Sequence, residues 1–218
     1  MSQPPRRDAE RTRARILSSA TAEFAAHGFS GARTARIARL AQVNVRMLYH
    51  YFGGKEALYI DVLERAFERL RHDEMQLDLV HAEPLAGLLQ LYDFIDGHLA
   101  RHPELRALFA YENLDRARYL RRSRRIPRMS SPVIERVGLL IRKGQATGVF
   151  RAGIDPLHLY VCMVSLSYYS KSHAFTLSRI FGTKLQAPAW QRAHREDVRA
   201  MLTAFVQAPP PKPPPKRR

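Results

Sequence analysis

The chain has 218 residues, 45% of them hydrophobic, which allows one or two domains with a sizeable core. Its 36 basic against 20 acidic residues leave a net charge of +16 and a pI near 10.7, the balance of a protein that meets a polyanion. A single cysteine excludes an intrachain disulfide framework, and the polar N-terminus and short apolar runs predict a cytoplasmic protein with no membrane partner.

The first helical pattern runs from Arg11 to His27, with Ile16, Leu17, Ala20 and Phe24 facing inward and Gly28 as its stop. A second, short helix follows from Thr34 to Gln42, marked by Ile37, Leu40 and Ala41 at i, i+3 and i+4. Only Gln42-Val43-Asn44 separates it from a third, the length of a helix-turn-helix turn. Asn44 is a good N-cap for that third helix. Leu48 and Phe52 recur at i, i+4 and anchor one side, which leaves Arg46, Tyr49 and His50 to an outside partner. Gly53-Gly54 breaks the helix, and Lys55-Glu56-Ala57-Leu58 starts the next. A lysine at a helix start opposes the helix dipole, a conflict that a neighbouring phosphate removes. Three helices of these lengths in this order make a headpiece whose third helix enters the major groove.

Beyond Lys55 the pattern stays helical, with no alternating run bounded by turn residues. Leu58, Val62, Leu63, Ala66, Phe67 and Leu70 form one stripe, and Pro84 opens another that ends near His102-Pro103. A helix from about Glu104 is expected to continue into a segment with seven arginines, Arg116 to Arg128. Ser131-Pro132 reads as the cap and first turn of a helix carrying Val133, Val137, Leu140 and Ile141. Asp155-Pro156 repeats that signature for a long apolar helix reaching about Leu177, in which Cys162 is expected to be a buried small hydrophobe. A last helix spans Trp190 to Phe205, and its apolar faces with those of the preceding helix exceed one helical layer, which points to a subunit interface. Pro209 to Arg218 is a low-complexity stretch expected to be polyproline-like and disordered.

From about Arg11 to Leu58 the chain resembles the N-terminal domain of the TetR family of bacterial transcriptional repressors. The carrying residues are Phe24-x-x-x-Gly28-Phe29, Ile37-Ala38-x-x-Ala41-x-Val43, Leu48-Tyr49-His50-Tyr51-Phe52 and Lys55-Glu56-Ala57-Leu58, four blocks in register. Ser165 to Tyr169 and Thr176 to Gly182 look like one subgroup of that family, which includes regulators of aromatic and heteroaromatic acid catabolism. The resemblance implies an all-α fold: an N-terminal three-helix headpiece (1–54), a C-terminal helical ligand-binding and dimerisation domain (55–207) and a Pro-rich basic tail (208–218). Two positions depart from the family pattern. Val45 stands where a polar or basic residue is usual, which favours a thymine methyl contact over a phosphate contact. Arg33 stands where the family has a capping Thr, with Thr34 one residue inside, and either can lie near a phosphate.

The resemblance implies a homodimeric repressor on a palindromic operator of double-stranded DNA. Its DNA contacts are expected from Arg33, Thr34, Asn44, Val45, Arg46, Met47, Tyr49, His50 and Lys55, with Arg46 and Met47 near base edges. A small-molecule effector, an aromatic acid by the subgroup likeness, is expected near Tyr111, Asn113, Arg118, Arg121, Tyr168 and His173: rings supply area and a guanidinium pairs with the carboxylate. A sequence-tolerant architectural DNA-binding protein, an activator and an effector-independent regulator are the alternatives. No HExxH, Walker loop, GxSxG or paired-cysteine spacing occurs, so no enzyme, cofactor or metal site is expected.

Overall fold

In the computed structural model the described residues are 6–207, and the Pro-rich tail lies outside them. They form ten α-helices and no strand: α1 (Arg6–Gly31), α2 (Thr34–Leu40), α3 (Val45–Phe52), α4 (Lys55–Met75), α5 (Pro84–Arg101), α6 (Pro103–Leu114), α7 (Arg125–Ala146), α8 (Pro156–Ser172), α9 (Ala174–Phe181) and α10 (Pro188–Gln207). Among the described residues no helix is long and apolar enough to cross a membrane.

The chain gathers into two compact units. One comprises residues up to 71 together with 102–129; the other comprises 72–101 and the chain from 130 onward. Within the first of them α6 packs on α1. The core of the first unit joins Ile16, Leu17, Ala20 and Phe24 of α1 to Ile37, Ala41, Leu48 and Phe52, and these to Leu58, Tyr59 and Leu63 of α4. Phe29, Tyr59 and Tyr119 add a ring cluster, with centroids 4.2 Å apart for Phe29–Tyr119 and 5.1 Å for Tyr59–Tyr119. In the second unit α5 packs on α8 and α10 through Leu88, Leu91, Tyr92, Ile95, Leu159, Met163, Val198 and Leu202.

Several boundaries differ from the sequence pattern, each for a local reason. Gly28 does break α1 as expected, with non-helical backbone (φ 64°, ψ −177°), but past the kink the helix resumes to Gly31, and the Tyr111 ring fills the space a Cβ would need. α6 stops at Leu114, before the arginine-rich segment, because Arg116 (φ 55°) and Ala117 (φ 57°) turn left-handed. The buried Glu112 carboxylate then accepts the Tyr119 and Leu120 backbone N–H groups at 3.2 and 2.9 Å. α7 starts at Arg125 and not after Ser131-Pro132, since Ser123 Oγ already caps it, accepting from the Arg125 and Ile126 N–H groups at 3.2 Å each. Pro132 lies inside that helix, which forgoes one backbone bond to keep Val133, Val137, Leu140 and Ile141 buried on one face. Asp155 caps α8 as expected, with its carboxylate 2.7 Å from His158 N, but the helix ends at Ser172 and His173 joins it to α9. Cys162 is exposed, not buried: it stands on the side of α8 that carries the exposed Leu157 and Val161.

Candidate DNA-binding site

Helix α3 is short and would not persist alone; neighbours hold it. Asn44, extended at φ −72° and ψ 143°, accepts the Arg46 backbone N–H on its side chain at 2.9 Å. Gly53 ends the helix in the left-handed region (φ 75°) and returns its N–H to Tyr49 O at 2.8 Å. Leu48 and Phe52 are buried in the first unit's core. That leaves Asn44, Val45, Arg46, Tyr49 and His50 exposed and Met47 half-buried at the edge of one outward face. The face holds a cation, an amide, a phenol, an imidazole and apolar groups in two turns, the mix that reads base edges and phosphates.

Lys55 opens α4 just past Gly53-Gly54. Its ammonium lies 4.7 Å from the centroid of Phe29, and burial pulls its pKa below the usual lysine value against the opposing charge of Glu23. The cation that opposed the dipole is thus held over an aromatic ring. Arg33 is the N-cap residue of α2 and exposed, though its side chain makes no capping bond; Thr34 is half-buried. Beside α3, Arg13 lies over the Phe52 ring at 4.9 Å and pairs with Asp61 of α4.

Two other α1 side chains, Glu23 and Arg15, bond to the backbone at the two ends of α2. Sequence reasoning passed over both. The signal for Glu23 was present: it shares the inward stripe of Ile16 and Ala20, where a carboxylate needs a partner. Arg15 gave none, being one exposed arginine among several.

The six effector candidates do not fall in one compact unit. Tyr111, Asn113, Arg118 and Arg121 belong to the first, Tyr168 and His173 to the second. Tyr111 packs on Gly28 and donates to Ala26 O at 3.3 Å; Asn113 donates to Phe109 O at 2.8 Å. Arg118 stands over the Tyr119 ring at 5.5 Å, and Arg121 is exposed. Neighbouring arginines brace α4: Arg122 pairs with Glu56, and Arg125 with Glu64 (3.0 Å) and Glu68 (3.2 Å). His173 stacks on Tyr169 with centroids 4.3 Å apart, while Tyr168 is half-buried. The second unit also holds an open cleft of about 600 Å³ lined by Leu85, Ala86, Leu89, Gln90, Asp93 and Arg199, none of them a site candidate from the sequence.

Comparison with known proteins gives consistent matches. Residues 16–62 match the family profile described as bacterial regulatory proteins, tetR family, and residues 84–202 that of the tetracyclin repressor-like C-terminal domain. The chain is 38% identical over 177 residues to the HTH-type transcriptional repressor NicS of Pseudomonas putida, covering 81% of this chain and 84% of that one. It is 38% identical over 116 residues to the HTH-type transcriptional repressor SCO4008 of Streptomyces coelicolor, covering 50% of this chain and 53% of that protein. Among solved structures, SCO4942 of Streptomyces coelicolor superposes with a TM-score of 0.66 at 25% identity, over 87% of this chain and 97% of that one. The FadR regulator of Bacillus subtilis, solved with stearoyl-CoA, gives a TM-score of 0.68 at 16% identity, over 89% and 99%, a likeness of fold alone.

Proposed function

The chain belongs to the TetR family of bacterial transcriptional regulators, and on that premise we propose a homodimeric repressor that a small-molecule effector releases from a palindromic operator. The observation that carries this reading is the outward face of α3, polar and cationic on a helix locked by Leu48 and Phe52, in a chain of net charge +16. In the major groove Arg46 and Met47 reach base edges, and Val45 meets a thymine methyl. Asn44, Tyr49, His50, Lys55 and the Arg33-Thr34 start of α2 hold the phosphate backbone.

Dimerisation is supported by apolar surface that the second unit leaves in solvent: Leu157 and Val161 on α8, Met201 and Phe205 on α10. Large apolar side chains left exposed on two neighbouring helices call for a second partner. Two copies joined there present two recognition helices, for which successive major grooves set a spacing near ~34 Å.

For the effector we propose an aromatic or heteroaromatic acid, with Tyr168 and His173 as its contacts. The subgroup likeness and the stacked Tyr169–His173 pair support that choice. Such a ligand acts by preferring the state that does not bind DNA. A footprint across the promoter beside the protein's own gene tests the regulator: one protected palindrome is expected, and diffuse protection would instead indicate an architectural protein. A panel of aromatic acids tests the effector. The right acid raises the melting temperature by mass action and releases the DNA. Release by a neutral lipid-like compound, with no acid active, overturns the effector class alone.

A further inference from the structure

Helix α2 begins without a capping side chain of its own, since Arg33 at the N-cap position makes no side-chain bond. The acceptor comes from another helix. Glu23 of α1, 3% exposed, accepts the Arg33 backbone N–H at 2.9 Å, and both its carboxylate oxygens lie 2.7 Å from Arg36 Nε. A carboxylate there also meets the positive end of the α2 dipole. Burial pushes the Glu23 pKa up, yet the Arg33 N–H and the Arg36 guanidinium outweigh it and hold the carboxyl below its ordinary value.

The other end of α2 is held by the opposite charge. Arg15 donates from Nη2 to Ala41 O and to Gln42 O (3.2 Å), with Gln42 Oε1 3.5 Å away. Ala41 is the C-cap of α2, whose carbonyl the helix leaves unpaired at the negative end of its dipole, and Gln42 follows it in the turn. Arg15 and Glu23 stand eight residues apart, roughly 12 Å along α1. The seven residues of α2 span about the same length. One helix thus grips its neighbour at both ends with charges that match its dipole. The grip reaches the turn itself, where Gln42 is a non-glycine residue at φ 52°. A left-handed residue of that kind needs its surroundings to hold it.

We propose that Glu23 and Arg15 are positioning residues for operator recognition: they clamp α2 at its two ends and so fix the turn that aims Val45, Arg46 and Met47 into the groove. This rests on the regulator reading above. Neither residue has to touch DNA, because Glu23 is a buried anion and Arg15 is engaged on backbone carbonyls.

The test uses the full chain with E23Q, R15Q and R15K, measuring operator and random-DNA affinity at several salt concentrations, melting temperature and amide exchange over residues 41–46. Both glutamine variants should lose about tenfold in operator affinity, the scale of one charge-assisted hydrogen bond. Measured well below the melting temperature, their random-DNA affinity and salt slope should stay close to wild type, while exchange over 41–46 quickens and R15K recovers part of the loss. A salt slope lower by about one in R15Q would make Arg15 a phosphate contact and overturn the proposal. Unchanged operator affinity would overturn it as well, as would operator and random-DNA affinity falling together with melting temperature. A wild-type footprint left intact by the substitutions sinks this proposal alone; a wild type that protects no palindrome sinks the regulator reading and the proposal with it.

Discussion

Arg46 and Lys55 are both cations of the recognition region, but their surroundings assign them different work. Arg46 projects from the first turn of α3, exposed, with only its backbone N–H committed, to Asn44. Arg46→Ala is expected to relax preference at one base pair, costing about 1–3 kcal/mol there. Equal weakening on all operator variants in a binding titration would remove it as a base reader. Lys55, half-buried over Phe29, opens α4, and the proposed operator contact there is to a phosphate. Lys55→Ala should weaken all sequences alike and lower the salt slope by about one, read from affinities at several ionic strengths. Glu23 carries a pH signature. Its folded pKa is depressed, so its contribution to stability is present above the unfolded value and lost as pH falls through the folded one. Urea melts should show the gap between wild type and Glu23→Gln widest near neutrality and closing as pH falls below the ordinary glutamate range.

At the scale of elements, single side chains decide where helices begin and bend. Ser123 caps α7 and also donates to Glu64 Oε1 at 2.7 Å, a buried three-way junction between α4 and the start of α7. Ser123→Ala leaves two backbone donors and a carboxylate oxygen short of a partner. It should cost about 1–3 kcal/mol in denaturant melts, and a loss under ~0.5 kcal/mol would show that the junction does not depend on this hydroxyl. Gly28 is constrained twice: its φ of 64° disfavours any side chain, and an added Cβ would lie 2.7 Å from the Tyr111 ring. Gly28→Ala should destabilise by more than ~1 kcal/mol in the same assay. The helix pattern in the sequence located both neighbourhoods: it found the break at Gly28 without its cause, and it misjudged the other, taking Ser131-Pro132 for a start. Stop and cap signals are local, whereas a ring from α6 and a hydroxyl serving Glu64 come from distant parts of the chain.

For the molecule as a whole, two features of the second unit set its behaviour. Asp96 is 5% exposed, pairs with Lys171 Nζ and has Arg195 Nε 3.8 Å away. Breaking such a pair strands a buried charge, so Lys171→Met should cost about 3–5 kcal/mol, moderated by Arg195. A double-mutant cycle with Asp96→Asn should recover much of that loss; additive losses would mean the two groups are not coupled. The second feature is the apolar surface of α8 and α10. Val161→Asp should shift the protein from dimer to monomer in sedimentation velocity and abolish operator binding without unfolding either unit. A dimer that survives the substitution would place the interface elsewhere.

The sequence by itself determined the all-α class, the headpiece order and the cap, anchors and outward face of α3. Each of these depends on neighbours within a turn or two, and a helical period exposes them. The likeness of four short blocks carried the family for the same reason, since their spacing is local. Only the tertiary structure decided that Tyr111 packs on the α1 kink, that arginines 122 and 125 brace α4, and that Glu23 and Arg15 grip α2 from another helix. It also decided that Cys162 faces solvent, since an apolar helix does not say which of its sides its own chain covers. These outcomes join residues from 10 to more than 80 positions apart, and no local period encodes a partner at that range.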